Sequence, residues 1–234
     1  MLFCPSVLYA QWVLDLESGA AFSGYNNVRI PGDEGTLIDV SELGGGGITS
    51  FYRIRPSYTL NEKHTFSALF APLDIRYDGR PGEAVRFQGA TFAAGQPLQV
   101  DYQFNSYRLT YRFNFARTRR FRWGIGATAK IRDASVEFSD ASQQTKKTNV
   151  GFVPLVNFMA EWFVKERLTI LLRGDALAAP QGRAEDVLLA AQLYPNQAIT
   201  LRLGYRILEG GADNDEVYNF SLVHYAVIGA TVTF

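Results

Sequence analysis

Basic side chains recur at even spacings in several stretches of this 234-residue sequence. Because side chains on a β-strand alternate between its two faces, residues two or four positions apart share one face. A face lined with guanidinium groups could bind an anionic ligand or line a passage that prefers anions. The candidate ligand-binding residues, one carboxylate among them, are Arg53, Arg55, Arg108, Arg112, Lys130, Arg132, Arg173, Asp175, Arg202 and Arg206.

A second group of candidates lies in the segment from Gly204 to Phe220, which contains four carboxylates and a Gly-Gly pair. Oxygen ligands at alternate positions suit a hard cation such as calcium, but the spacing lacks the complete EF-hand pattern. A solvated acidic loop is the favoured interpretation, and no metal site is predicted. Paired carboxylates could alternatively perform acid–base chemistry on a glycan or lipid head group. Together with a neighbouring segment, these candidates are Arg183, Asp186, Glu209, Asp213, Asp215 and Glu216.

The two histidines are poorly placed for nucleophilic catalysis. His64 lies beside a short turn, and His224 lies on the apolar face of the last predicted strand. Neither position suits a nucleophile–base pair at the mouth of the structure predicted below. Because no nucleotide-binding loop or zinc motif occurs, the sequence predicts no cofactor.

Composition excludes several classes of protein. With 23 basic and 23 acidic residues the formal net charge is zero, which argues against nucleic acid as a partner. No run of about 18 apolar residues occurs, so a membrane-spanning helix is not expected. A single cysteine rules out a disulfide scaffold. The unusual property is the aromatic content, 17 Phe, 12 Tyr and 3 Trp, in a chain that is 47% hydrophobic.

The hydrophobicity of the chain follows a two-residue period. From residue 106 to 115 every odd position is apolar or aromatic and every even position is polar. The segments 121–132 and 199–208 repeat this alternation, with full charges confined to one parity. Such alternation predicts β-strands. Strands of a soluble sandwich usually run about five or six residues, whereas these reach the roughly 9 to 11 residues that a tilted strand needs to cross a bilayer.

About ten such strands are predicted, and their connections are of two kinds. The predicted strands span residues 11–24, 48–60, 63–77, 98–116, 120–139, 148–164, 166–179, 184–194, 197–208 and 217–234. Every connection after an even-numbered strand is a tight turn with aromatic residues beside it, and every other connection is a longer polar loop. The fold class is therefore all-β, an antiparallel transmembrane β-barrel with short periplasmic turns, long extracellular loops and aromatic girdles at the membrane interfaces.

The C-terminal segment carries a resemblance to a known class of proteins. The even-numbered positions at its end, which share one face of a strand, are all apolar: Ala226, Ile228, Ala230, Val232 and Phe234. This pattern resembles the C-terminal signature of bacterial outer-membrane proteins. The resemblance implies a location in the outer membrane of a Gram-negative cell, contact with outer-membrane lipid, and recognition by the barrel assembly machinery through the strand that ends at Phe234. It implies no activity.

Two segments are expected, a truncated export signal at residues 1–10 and a transmembrane barrel domain at residues 11–234. The polar parity, which also includes Asp15, Glu17 and Glu161, would face a lumen in which cations outnumber anions. The predicted function is an integral outer-membrane barrel with a charged, arginine-rich and largely filled lumen. A narrow pore for small anionic solutes is left as an alternative to complete filling. The alternative is an enzyme that acts on lipid or glycan head groups through the carboxylates at the mouth. The oligomeric state is not predicted.

Overall fold

The computed structural model of the protein describes residues 10–180 and 182–234, with only the backbone described for residues 10, 46, 116 and 117. The predicted export signal falls on residues 1–9 and the first residue of β1, so all but its last residue lies outside the described residues. No helix in the described ranges is long and apolar enough to span a membrane.

Ten long strands, labelled β1 to β10 in chain order, form the wall of the protein. They are β1 Ala10–Arg29, β2 Ile48–Leu60, β3 His64–Ala71 continued by Asp74–Gly79, β4 Leu98–Arg117, β5 Phe121–Ser139, β6 Gln144–Lys165, β7 Leu168–Ala179, β8 Gly182–Leu193, β9 Ile199–Asp213 and β10 Tyr218–Thr233. Each strand pairs antiparallel with the next, and β10 pairs with β1, so the sheet closes. The predicted antiparallel barrel of ten strands is confirmed.

Alternation along each strand separates an apolar outer surface from a polar interior. Leu109 and Leu203 are each 68% exposed on the outside, whereas the adjacent Arg108 and Arg202 are 3% and 4% exposed. An apolar surface of this extent is unfavourable in water and suits contact with lipid. Closure pairs most backbone groups of the wall strands with one another, and such pairing is what allows a sheet to cross a bilayer.

Aromatic rings and tight turns lie together at one end of the barrel. The turn between β2 and β3 passes through Asn61 and Glu62, both with positive φ. At the turn between β4 and β5 the Thr118 hydroxyl accepts a hydrogen bond from the N–H of Phe121 at 2.9 Å. Phe121 packs in turn on Trp162 of β6, with ring centroids 6.4 Å apart. This arrangement corresponds to the girdle expected at the periplasmic interface.

At the opposite end, several strands extend further than the sequence predicted. β1 continues to Arg29 instead of residue 24, and β9 continues to Asp213 instead of residue 208. The connection after β5, predicted as a loop, is a tight turn of residues 140–143, and only two residues, 180 and 181, separate β7 from β8. Pairing satisfies backbone N–H and C=O groups even where side-chain alternation fades. The alternation therefore marked the apolar part of the wall and not the ends of the strands.

The two long loops, residues 30–47 and 80–97, fold over the extracellular end, and we call them the crown. In the first loop, Asp39 begins a short 3₁₀ helix, Val40–Leu43, by accepting a hydrogen bond from the N–H of Ser41 at 3.0 Å. The second loop forms the hairpin Val85–Phe87 with Ala90–Phe92. Phe87 of this hairpin stacks on Phe138 of β5 at a centroid distance of 4.2 Å. The crown is thus anchored to the barrel by buried apolar contacts.

Candidate functional site

An ion network of five arginines and four carboxylates fills the middle of the lumen, and we call it the lumen network. Its members are Asp15, Glu17, Arg53, Arg108, Arg173, Asp175, Asp186, Arg202 and Arg206. They come from six strands, in each of which the inward parity carries the charge. All are buried except Arg173, which is partly exposed. Charges held this far from water require paired and hydrogen-bonded partners.

Asp186 of β8 joins three strands across the lumen. Its Oδ2 accepts hydrogen bonds from Nη2 of Arg53 at 2.8 Å and from Nη2 of Arg108 at 2.6 Å, and its Oδ1 accepts from Arg206. β8 and β4 lie four strands apart in a ten-stranded wall, so the bond to Arg108 crosses the lumen.

The position of Asp186 corrects the prediction that placed this residue at the extracellular rim beside Arg183. The structure places Asp186 in the lumen at 2% exposure. The reason is that β8 begins at Gly182, so that Asp186 lies within the wall on the inward parity, whereas Arg183 lies on the outward parity.

Glu17 and Asp15 of β1 form the second centre of the lumen network. Arg202 donates to both, to Glu17 at 2.9 Å and to Asp15 at 2.5 Å. Arg173 does the same from β7, at 2.8 Å to Glu17 and 2.9 Å to Asp15. Each guanidinium therefore forms a fork over two carboxylates, an arrangement of strong charge-assisted hydrogen bonds.

Asp175 of β7 has a complete set of hydrogen-bond partners. It accepts from Arg108 at 2.7 Å, from the Thr128 hydroxyl at 2.6 Å and from the Asn157 amide at 2.8 Å. Because the partners come from three different strands, the carboxylate fixes the wall strands relative to one another. Satisfied polar networks of this kind make a barrel interior rigid.

Four inward cations, Arg55, Arg112, Lys130 and Arg132, have no ion pair with a carboxylate among the described residues. Arg55 is buried next to the lumen network, and Arg112 donates a hydrogen bond to Asn114 at 3.2 Å. Lys130 is 2% exposed and lies over the Phe104 ring at 4.7 Å from its centroid. Arg132 on the same strand donates to the Asn149 side chain. Positive charge thus exceeds negative charge in the lumen.

The residues at the extracellular rim form a separate and more exposed group. Arg183 of β8 donates to both carboxylate oxygens of Glu209, at 2.9 and 2.8 Å from its Nε, and lies over the Phe220 ring. The Tyr25 hydroxyl donates to the same carboxylate at 2.5 Å. The other predicted carboxylates, Asp213, Asp215 and Glu216, are exposed. No cluster of three or more potential metal ligands occurs among the described residues.

Each histidine contacts a tyrosine on the outside of the barrel. His64 shares a hydrogen bond of 2.9 Å with Tyr111, and His224 shares one with Tyr205. Neither ring is bonded to a serine, threonine or carboxylate in the described part of the chain. The histidines therefore belong to the outer wall and not to the lumen site.

A cavity of about 440 Å³ lies between the lumen network and the rim. Its walls are mainly apolar, with four basic residues (Lys130, Arg132, Lys147 and Arg183) and one carboxylate (Glu209) among them. Other residues that line it include Tyr102, Phe104, Val136 and Leu208. The volume falls within the range of about 300 to 1,000 Å³ that is usual for small-molecule sites.

The cavity is the feature that sequence reasoning missed, although a signal for it exists. On β4 the inward parity is apolar from Leu98 to Phe104 and becomes polar at Ser106 and Arg108. This change from apolar to polar side chains along the inward face divides the lumen into an apolar extracellular half and a charged middle. Alternation alone indicates which face of a strand is inward but not how the polarity of that face changes along the strand.

Comparisons with known proteins identify related folds only. No family model and no curated protein match the sequence. The outer membrane protease OmpT from Escherichia coli aligns with a TM-score of 0.52 at 10% identity, covering 100% of this chain and 99% of that one. The attachment invasion locus protein Ail of Yersinia pestis aligns with a TM-score of 0.43 at 10% identity, over 95% and 99% of the two chains. Neisserial surface protein A aligns with a TM-score of 0.38 at 14% identity, over 97% and 99%.

The closed wall of ten strands, its apolar outer surface and its aromatic girdle define an outer-membrane β-barrel, and the likeness to OmpT shows the same fold. The protein is an integral protein of the cell outer membrane. Since the likeness to OmpT is at 10% identity, it extends to the fold alone, and the activity has to be argued from the lumen, the cavity and the rim.

Proposed function

We propose that this barrel is sealed at mid-height by the lumen network and acts as a ligand-binding outer-membrane protein through the cavity on its extracellular side. The observation that carries the proposal is the ion network that crosses the lumen directly below an apolar cavity. A sealed lumen and a cavity open to one side suit binding, whereas an open pore needs a continuous aqueous path.

The burial of the lumen network and its hydrogen bonds across the lumen both support the seal. Arg206, Arg108 and Asp186 are each 2–3% exposed, and the bonds of Asp186 reach strands on opposite sides of the barrel. Moving an ion through this layer would require breaking several charge-assisted hydrogen bonds, each stronger than a neutral one. We therefore expect no steady conductance from the wild-type protein.

The test is a planar-bilayer recording of the refolded full chain, after a gel with heated and unheated samples shows that it is folded. The wild type should carry no steady current, and the double variant Arg108→Ser/Asp175→Ser, which removes both partners of one cross-lumen pair, should open a measurable current. The matched control is Arg183→Ser/Glu209→Ser, an ion pair at the rim, which should leave the barrel closed. A steady wild-type current would overturn the seal.

A narrow passage for small anions is the second candidate, and the unpaired cations favour it. Arg55, Arg112 and Lys130 would attract anions into the lumen because no carboxylate is ion-paired with them in the described residues. This candidate predicts an anion-selective wild-type current that decreases in Arg112→Gln. The same recording therefore decides between the two candidates.

The rim carboxylates give less support to an enzyme. Glu209 is held by Arg183 and Tyr25. Asp213 and Asp215 are more exposed, and within the described ranges neither carboxylate has a side-chain partner that would make it a general acid. If a lipid or glycan turnover were detected, its retention in Glu209→Gln and Asp213→Asn would remove these residues from the mechanism.

A further inference from the structure

The barrel wall is incomplete between β6 and β7 on the extracellular side. The two strands pair from Lys165 and Leu168 up to Val156 and Ala176, and no pair beyond this point occurs among the described residues. β6 nevertheless continues to Gln144, paired with β5 alone. Residues 144–155 of β6 therefore pair with no strand on the side of β7 in the described part of the chain, which leaves a gap in the wall.

The lower part of the gap, beside residues 150–155 of β6, lies at the height of the apolar wall, whereas residues 144–149 lie above it. Phe152 and Val150 on its edge point outward and are 64% and 69% exposed. In the register with β5, Phe152 lies opposite Ile131, the last member of an outward apolar run that begins at Phe121. This lower part of the gap consequently faces the outer leaflet of the membrane.

The cavity extends to this gap. Its lining includes Phe152 and Pro154 of β6 on one side and Leu177 and Ala179 of β7 on the other. Leu177 has the inward parity of Asp175, yet it is 37% exposed, because the wall beside it is open. A molecule in the cavity could therefore reach the lipid without passing the crown.

The inner end of the cavity carries an unneutralised cation. Lys130 lines the cavity, is 2% exposed and forms no ion pair with a carboxylate of the described residues. An ammonium group buried among apolar side chains is costly unless an anion accompanies it. Arg132, two positions along β5, also lines the cavity and adds a second positive charge.

We propose that the cavity binds a single-chain amphiphile with an anionic head group, which enters from the outer leaflet through the gap between β6 and β7 and places its head group at Lys130. The inference rests on the proposed function and names its ligand class. The apolar walls accommodate the chain, and the volume of about 440 Å³ suits one chain better than a lipid with two. A carboxylate and a phosphate monoester both provide the negatively charged head group that would pair with Lys130.

The first test is equilibrium binding to the full chain in nanodiscs of uncharged lipid. Hexadecanoate and hexadecyl phosphate represent the two head groups, and hexadecanol has the same chain without the charge. We expect saturable binding of one anion per barrel and at least tenfold weaker binding of the alcohol, and the tighter anion identifies the head group. Equal binding of hexadecanol, or no saturable binding of either anion, would overturn the proposal.

The second test uses variants. Lys130→Met should weaken anion binding at least tenfold, and Lys130→Arg should retain it. The matched control is Lys146→Met on the outward face of β6, where the same change should have no effect. Ala134→Trp places a large side chain in the cavity and should abolish binding without removing a charge. This variant also tests the proposal if Lys130→Met does not fold. Unchanged binding in Ala134→Trp would exclude the cavity as the site.

The route is tested with a hexadecanoate that carries a photoreactive group at its last carbon. Labelling should fall on residues 150–154 and 176–179, at the two sides of the gap. Labelling confined to the crown would contradict entry from the membrane. A barrel that neither conducts nor binds these amphiphiles would refute this ligand class while leaving the sealed lumen intact, whereas a conducting wild type would refute the seal itself.

Discussion

Arg108 of β4 lies 2.7 Å from a carboxylate oxygen of Asp175 on β7, a residue 67 positions later in the chain and three strands away around the wall. The other Nη of the same guanidinium bonds to Asp186 at 2.6 Å. One arginine thus connects two carboxylates from two further strands, and this geometry makes the middle of the lumen a seal held by charge. Its energetic consequences can be measured.

Removal of one carboxylate from the lumen network should strongly destabilise the barrel. Asp186→Ala removes the one carboxylate that Arg53, Arg108 and Arg206 have in common. Removing one partner of a buried ion pair costs about 3–5 kcal/mol. The measurement is the free energy of unfolding in urea with the protein in detergent. Asp213→Ala, an exposed carboxylate, should change it by no more than about 0.5 kcal/mol. Similar effects of the two substitutions would contradict the assigned role of the lumen network.

The ion pair at the rim should contribute little to stability despite its good geometry. Arg183 is 47% exposed and Glu209 is 13% exposed as side chains. Exposed pairs contribute about 0.2–1 kcal/mol because solvent screens them. A double-mutant cycle on Arg183→Ala and Glu209→Ala measures the coupling, which should decrease further at high salt. A coupling well above 1 kcal/mol, insensitive to salt, would show that the rim is more rigid than its exposure indicates.

The turn between β5 and β6 should depend on pH. Asp140 accepts hydrogen bonds from the N–H groups of Ser142 at 2.7 Å and Gln143 at 2.9 Å, and the bonds with Ser142, followed by those with Gln143, lower the pKa of Asp140 below its usual 3.8. A lowered pKa means that the stabilisation is present above pH 3.8 and is lost as pH falls through the folded value.

The pH dependence of this turn is measured as amide exchange of Gln143. Protection should decrease on acidification in the wild type and should be low at every pH in Asp140→Ala. Asp140→Asn, which keeps an oxygen acceptor but does not titrate, is the control and should lose the pH dependence. A flat wild-type profile would show that the carboxylate does not hold the turn.

A charge at mid-height on the outer wall should destabilise the barrel in lipid. Leu203 is the central residue of the outward apolar positions between 199 and 207, and it is 68% exposed. Arginine on the lipid face near the bilayer midplane costs about 2–4 kcal/mol, falling to about 0–1 near the interfaces. Leu203→Arg should therefore cost several times more than Thr148→Arg, which lies beyond the apolar run of β6. The readout is the free energy of unfolding in liposomes, and equal costs would place the membrane elsewhere on the wall.

The architecture could be predicted from the sequence because strand alternation and the lengths of connections are local properties of the chain. The alternation at residues 106–115 and 199–208 determines the outward face of each strand, and the order of turns and loops determines how strands connect. A strand period of two does not depend on which strand lies beside it, so these features needed no tertiary information. The antiparallel barrel, its ten strands and its outer-membrane location were predicted on this basis.

The pairing inside the lumen could not be predicted in the same way. Asp186 was predicted at the rim because it follows the extracellular loop predicted at residues 180–183. Its bond to Arg108, 78 positions away, depends on barrel closure and register. The early end of the β6–β7 pairing at Val156 and Ala176, and with it the gap and the open side of the cavity, likewise depends on the relative lengths of neighbouring strands. Local alternation thus decides which side chains face inward, whereas the closed wall alone decides which of them meet, because their partners are remote in sequence and are brought together only by the register of ten strands.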